Sequence, residues 1–253
     1  MQHFRKLYIY LIILLFLPSC TSVTTPPVSV QPTPPITTTP LLPVVPPLRN
    51  NVYHTVGPLE TVWRLSKMYD VSVDSIIRAN NLPSDSSIQK GQKLLIPNAA
   101  PLRPIIPLYS SPKWRYIIIH HSATEVGNAL RFDDAHNRRG WEGLGYHFVI
   151  DNGTEGKQDG QIEVSPRWIK QRDGAHCKAS NMNLKSIGIC LVGNFNYEKV
   201  TRKQMDSAVY LVNKLRKFYG IPKGRILGHG QVKGACTDCP GKKFPWDEFM
   251  SKL

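Results

Sequence analysis

The sequence predicts an α/β protein, with a mixed central β-sheet flanked by helices and a small strand-helix-helix-strand unit ahead of it. Three observations carry this. Short apolar runs alternate with helical patterns over residues 113–253, and two helical patterns lie between extended segments over residues 53–97. Fourteen of the 21 prolines fall in two stretches, residues 21–52 and 97–112, which divides the 253-residue chain into two globular parts.

The elements follow in order. Arg5 and Lys6 precede an apolar run, Leu7 to Leu17, that ends in Pro18-Ser19-Cys20. A basic start, a short apolar stretch and a small residue before a cut describe a secretory signal over 1–19. The run is too short to span a bilayer comfortably. The Cys20 context resembles the bacterial lipobox, which implies lipidation at Cys20 and a membrane-anchored, exported chain. Residues 20–52 form a tether: nine of the 32 residues from Thr21 to Val52 are proline. Proline at that density excludes helix and favours extended polyproline II, at roughly 3.1 Å per residue.

In the small unit, Glu60-Thr61 precede Val62, Leu65, Ser66 and Tyr69 at helical spacing, and Asp74 opens a second short helix with Ile76 and Ile77. Leu94-Leu95-Ile96 is its closing strand before Pro97, and Trp63 is expected in its core. A second proline-rich stretch, residues 98–112, reads as a linker.

In residues 113–253, Tyr116 to His120 reads as a buried strand and Asp133 to Arg139 as a helix. Tyr146 to Ile150 is a second strand, and Asp151-Asn152-Gly153 signals a hairpin turn. Ser186 to Phe195 is a further buried strand. A helix capped by Thr201 and closed by Gly220 presents Met205, Ala208, Val209, Val212 and Leu215 on one face.

Composition bounds the function. Lys plus Arg number 32 against 18 Asp plus Glu, a net charge of +14. Such an excess points to an anionic partner, and export argues against nucleic acid. Potential metal ligands gather near strand ends: His120-His121, His147, His176-Cys177, His229, Cys236 and Cys239. Alternation along a strand lets only one of His120 and His121, and one of Tyr146 and His147, face a pocket. A helical HExxH site is excluded.

Residues 53–97 resemble the LysM module, on Gly57-x-x-Glu60-Thr61-Val62-Trp63, Ile77-x-x-Asn80-Asn81-Leu82 and Ile88-x-x-Gly91-Gln92-x-Leu94-x-Ile96-Pro97. The resemblance implies a βααβ LysM domain that binds glycan containing N-acetylglucosamine.

Residues 113–253 resemble the zinc-dependent N-acetylmuramoyl-L-alanine amidases related to peptidoglycan recognition proteins. The carriers are Ile117 through Thr124, Gly145-Tyr146-His147-Phe148, Ser186 through Gly193, and Gly228-His229 through Cys239-Pro240-Gly241. That resemblance implies a peptidoglycan recognition protein-like amidase fold and a zinc ion (Zn2+) held by His120, His229 and Cys239. It also implies hydrolysis of the amide between N-acetylmuramic acid and L-alanine in peptidoglycan. Some members carry a catalytic Glu where this chain has Cys190, which leaves the polar role to Tyr146, with Thr237 assisting the oxyanion. His176 is a candidate contact to substrate, and Gly230-Gln231 replaces the family's more usual Arg-Asp after Gly-His. A non-catalytic peptidoglycan-binding protein is the alternative, marked by loss of a ligand; all three ligands are present.

Overall fold

The computed structural model describes residues 48–253. The signal segment, Cys20 and nearly all of the tether lie outside the described residues. Among the described residues, no helix is long and apolar enough to cross a membrane.

The N-terminal unit has the predicted order: β1 (Asn50–Thr55), α1 (Val62–Tyr69), α2 (Val73–Ala79) and β2 (Lys93–Ala99), with β1 and β2 antiparallel. Thr61 caps α1 by accepting from Arg64 N, and Ser72 caps α2 through Ser75 N. Val62, Leu65, Met68, Ile76, Leu94 and Ile96 close the core. β2 runs on through Pro97 because the register against β1 shifts between Asn50 and Val52, and a bulge tolerates the missing donor. Trp63 is not in this core: it is 57% exposed, as Tyr53 is at 65%. On α1 the buried face is Val62, Leu65, Ser66 and Tyr69, and position 63 points away from it.

The second unit is a five-stranded mixed sheet. Its strands are β3 (Tyr116–His121), β4 (Phe148–Asn152), β5 (Asp159–Val164), β6 (Ser186–Leu191) and β7 (Ile226–Gly228), in the order β5-β4-β6-β3-β7. All pairs are parallel except β4 with β5. The helices are α3 (Ala129–Arg138), α4 (Pro166–Ile169), α5 (Arg202–Tyr219) and α6 (Trp246–Ser251). On one face of the sheet Ile117, Ile119, Phe148, Ile150, Ile187 and Ile189 pack against Met205, Ala208, Val212 and Leu215 of α5. Alternation sends Ile118 and His120, with Gly188 and Cys190 of β6, to the other face.

Several boundaries differ from the sequence expectation for identifiable reasons. α3 begins at Ala129, four residues early, because Asn128 caps it and the Glu163 carboxylate accepts the Ala129 N–H at 2.6 Å. Tyr146 and His147 precede β4 rather than opening it. Asp151-Asn152-Gly153 is not a tight hairpin turn: the Asn152 side chain accepts from Thr154, and a loop of residues 153–158 delays β5 to Asp159. β6 ends at Leu191 rather than Phe195.

Residues 98–112 are a packed strap, not a free spacer. Ala100 N–H donates to Tyr69 O, Arg103 N–H to Met68 O, Arg64 Nη2 to Ile105 O at 2.7 Å, and Trp168 Nε1 to Pro107 O at 2.8 Å. Proline removes donors from this segment, but its carbonyls still accept and Ile106 is buried.

A buried charge cluster joins the two units. Lys157 donates to Thr55 O at 3.0 Å and pairs with Glu163 at 2.7 Å, with both side chains at most 3% exposed. Glu60 accepts from Gly57 N–H and lies 2.8 Å from His54 Nε2. Burial alone would raise the Glu60 pKa, but the hydrogen bond and charge of His54, with Lys157 and Gly57 N–H, hold it at about 2. Asp151 is pushed well above the usual carboxylate range by burial and by Glu163.

The Glu60 carboxyl has a lower pKa folded than unfolded. Its contribution is therefore complete above about pH 4.5 and lost as pH falls from there toward 2. Urea unfolding midpoints should fall over that window, and Glu60→Gln should flatten the dependence. An unchanged slope in Glu60→Gln would remove this carboxyl from the account.

Candidate metal and active site

Parallel pairing decides which side chains meet. Ile119 of β3 is in register with Gly228 of β7, so the following residues, His120 and His229, emerge side by side with ring centroids 4.7 Å apart. β7 passes directly into a turn over His229–Gln231, and Gln231 Oε1 accepts the Gly228 N–H at 2.8 Å, which fixes the exit direction. The substitution of Gln231 for a more usual acidic residue thus leaves a side chain that holds the turn.

Cys239 approaches from the chain beyond β7. Gly230 N–H donates to Cys239 O at 2.7 Å, and a Cβ on Gly230 would lie 2.3 Å from Thr237 O, so only glycine fits this crossing. Cys239 Sγ lies 3.6 Å from His120 Nδ1 and accepts the His121 N–H at 3.4 Å. Donor atoms of His120, His229 and Cys239 all fall within 4.8 Å of one another. Cys236 is exposed and outside this group, and all four described cysteines are free thiols.

In each of the two adjacent pairs one residue faces the cluster, by strand alternation in β3 and by the loop before β4 for Tyr146 and His147. His120 faces the cluster, while His121 turns to the opposite side and accepts from Phe195 N–H at 3.1 Å. The Tyr146 ring lies 5.2 Å from the His120 ring. His147 is fully buried, accepts from Gly188 N–H at 2.9 Å and lies 3.2 Å from Arg172 O.

His176 closes the group from behind. Its Nδ1 shares a 3.0 Å hydrogen bond with His120 Nε2, which leaves His120 Nδ1 directed at Cys239. The His176 ring fills a slot that two glycines make: a Cβ on Gly188 would lie 2.4 Å from it and one on Gly174 2.3 Å. The same residue lines a cavity of about 300 Å³ with Trp141, Ala175, Cys177, Lys178 and Asn183.

Burial keeps the imidazoles in their neutral form. Burial first, then the neighbouring imidazoles, drives His120 and His176 well below the ordinary histidine value, and burial lowers His229 as well. Burial pushes the Cys239 thiol up to about 12, with the His121 N–H opposing. Burial, then Cys190 and Cys239, raises the Tyr146 phenol well above 10, so it stays a neutral donor. Thr237 is exposed, and its Oγ1 accepts the Cys239 N–H at 3.2 Å.

Two imidazoles and one cysteine sulfur, which would ligate as the thiolate with loss of its proton, fit at this separation a divalent ion that takes nitrogen and sulfur donors and keeps an open coordination position. The sequence reading overlooked His136 and Asp133. Both lie on α3 and accept successive backbone N–H groups, Gly145 at 3.0 Å and Leu144 at 2.8 Å, from the loop entering Tyr146. Their i, i+3 spacing beside the glycine-rich stretch 140–145 was the available signal.

A mixed α/β domain with a His/His/Cys centre at the ends of parallel strands is thus defined, and comparison with known proteins places it. Residues 110–242 match the family described as N-acetylmuramoyl-L-alanine amidase, and residues 54–97 match the LysM domain. The chain belongs to the N-acetylmuramoyl-L-alanine amidase family and carries a LysM domain. Peptidoglycan-recognition protein SC2 of Drosophila melanogaster is 33% identical over 150 residues, 54% of this chain and 72% of that protein. The endolysin of Enterobacteria phage K11 is 28% identical over 130 residues, 48% of this chain and 77% of that protein. Among solved structures, N-acetylmuramoyl-L-alanine amidase LysC from Clostridium intestinale URNW is 34% identical, covers 56% of this chain and 88% of that one, and has a TM-score of 0.47.

Gly188→Ala drives a methyl group into the His176 ring. Divalent-ion affinity, measured by competition with a chromophoric chelator, should fall by about tenfold or more, whereas Gly224→Ala, with open space around it, should leave affinity unchanged. Equal affinities in the two variants would show that the His176 contact does not orient His120.

Proposed function

We propose that the chain is a zinc-dependent N-acetylmuramoyl-L-alanine amidase that cuts the amide between N-acetylmuramic acid and L-alanine in peptidoglycan. The observation that carries the reading is the convergence of His120, His229 and Cys239 within 4.8 Å, beside the Tyr146 ring. These three residues would hold the ion, His120 through Nδ1, the nitrogen that faces Cys239. Bound there, zinc supplies Lewis-acid polarisation of the scissile carbonyl and activation of water near neutral pH.

The chain's own groups supply the rest. The Tyr146 hydroxyl keeps its proton at working pH and donates a hydrogen bond toward charge developing on the carbonyl oxygen. Thr237 uses Oγ1 as an acceptor to hold the Cys239 turn, which leaves its hydroxyl proton for the same oxygen. His176 fixes the tautomer of His120 and offers an edge to the cavity beside it. Lys178 on that cavity, with Arg139 5.7 Å over the Trp141 ring, suits an anionic stem peptide. The LysM domain would retain the glycan strand. The N-terminal segment, on this reading, exports the protein as a lipoprotein anchored at Cys20 and facing the wall, with residues 20–52 as its reach.

Digestion of purified peptidoglycan should release new L-alanine N-termini. Release should disappear with chelator, return with zinc and fall by about 100-fold or more in Cys239→Ala. Cys236→Ala should retain activity within about twofold, since an exposed thiol outside the cluster contributes nothing to it. Retention of the polymer without any release under any metal condition would leave peptidoglycan binding alone as the function.

A further inference from the structure

The loop that carries Tyr146 is held from α3, and the residue that holds it is tied to the LysM domain. Asp133 is 5% exposed. Its Oδ1 accepts the Leu144 N–H at 2.8 Å, and a Cβ on Gly143, whose φ is +91, would lie 2.9 Å from that oxygen. The backbone therefore passes directly against the carboxylate, two residues before Tyr146. His136, one turn on, accepts the next N–H, that of Gly145, at 3.0 Å, and its ring lies 5.7 Å from the Tyr146 ring.

The second carboxylate oxygen of Asp133 accepts from Asn137 Nδ2 at 3.3 Å and from Lys90 Nζ at 3.0 Å. Lys90 belongs to the loop before β2 of the LysM domain and also pairs with Asp134 at 2.8 Å. Its neighbour Gly91 has the Leu130 side chain of α3 beside it, 3.9 Å from an ideal Cβ position. A largely buried carboxylate needs charge compensation as well as hydrogen bonds, and among the described residues Lys90 is the cation in salt-bridge contact with Asp133.

We propose that Asp133 is a positioning residue for Tyr146, and that Lys90 makes the LysM domain a brace of the catalytic loop rather than an independent glycan hook. The Lys90 ammonium holds Oδ2 of the carboxylate and so fixes the orientation of Oδ1, the acceptor of the Leu144 N–H. Detaching the LysM domain from α3 therefore loosens the entry to Tyr146. The catalytic consequence rests on the amidase reading; the bracing itself does not.

The test uses the full chain with Lys90→Ala, Asp133→Ala, their double variant and Asp133→Asn, and two readouts. The first is amide hydrogen exchange at Leu144 and Gly145, and the second is kcat and KM on a soluble muropeptide. Asp133→Ala should speed exchange at Leu144 by about tenfold and lower kcat with KM within about twofold. Lys90→Ala should act in the same direction by about two- to fivefold, and should add nothing in the Asp133→Ala background. Asp133→Asn keeps the acceptor and should restore most of the protection while losing dependence on Lys90; it also serves if Asp133→Ala does not fold. Unchanged exchange at Leu144 in Lys90→Ala, or a full Lys90 effect without Asp133, would overturn the proposal. A wild-type chain with the expected exchange pattern but no hydrolysis would leave the brace standing and remove the amidase reading.

Discussion

Everything at the candidate centre depends on the parallel register of β3 with its neighbours. Ile119 opposite Gly228 makes His120 and His229 adjacent, and His120 opposite Cys190 sets that imidazole beside the central strand β6. A one-residue slip would turn His120 toward α5 and bring His121 to the cluster in its place. That register is itself enforced by packing. Ile117, Ile119, Ile187 and Ile189 bury their side chains under α5, so the polar residues have only the other face. The apolar layer on one side thus writes the chemistry on the other.

The second constraint is space for rings. Imidazoles at 147 and 176 crowd behind His120, and glycines at 174 and 188 exist where any Cβ would enter the His176 ring. Packed this way, the imidazoles are neutral, which is the form that ligates metals and the form that can pass a hydrogen bond from one ring to the next. Tyr146 owes its place to the same economy of backbone. Its loop has few internal hydrogen bonds to spare, so α3 provides acceptors, and the LysM domain supports α3 in turn.

Much of the arrangement was legible in the residues. Apolar runs gave β3, β4 and β6, Thr201 and Gly220 bounded α5, and the resemblance to the amidases implied His120, His229 and Cys239, which the structure brings within 4.8 Å. What was not legible depended on contacts between distant segments. Proline content made residues 98–112 read as a spacer, because composition does not reveal that their carbonyls find Arg64 and Trp168. Trp63 read as core because of its size, although its position on α1 puts it outside. Asp133 read only as the start of a helix, and Glu163 carried no assignment. The structure gives both a role: Lys90 reaches Asp133 from the LysM domain, and Lys157 pairs with Glu163 while donating to Thr55 O of the LysM domain.

X-ray absorption at the zinc edge on the purified chain tests the central claim most directly. The account predicts one zinc per chain with a single sulfur at about 2.3 Å and two imidazole nitrogens at about 2.0 Å, with the sulfur lost in Cys239→Ala and kept in Cys236→Ala. A shell of two or more sulfurs, or a shell unaffected by Cys239→Ala, would contradict it.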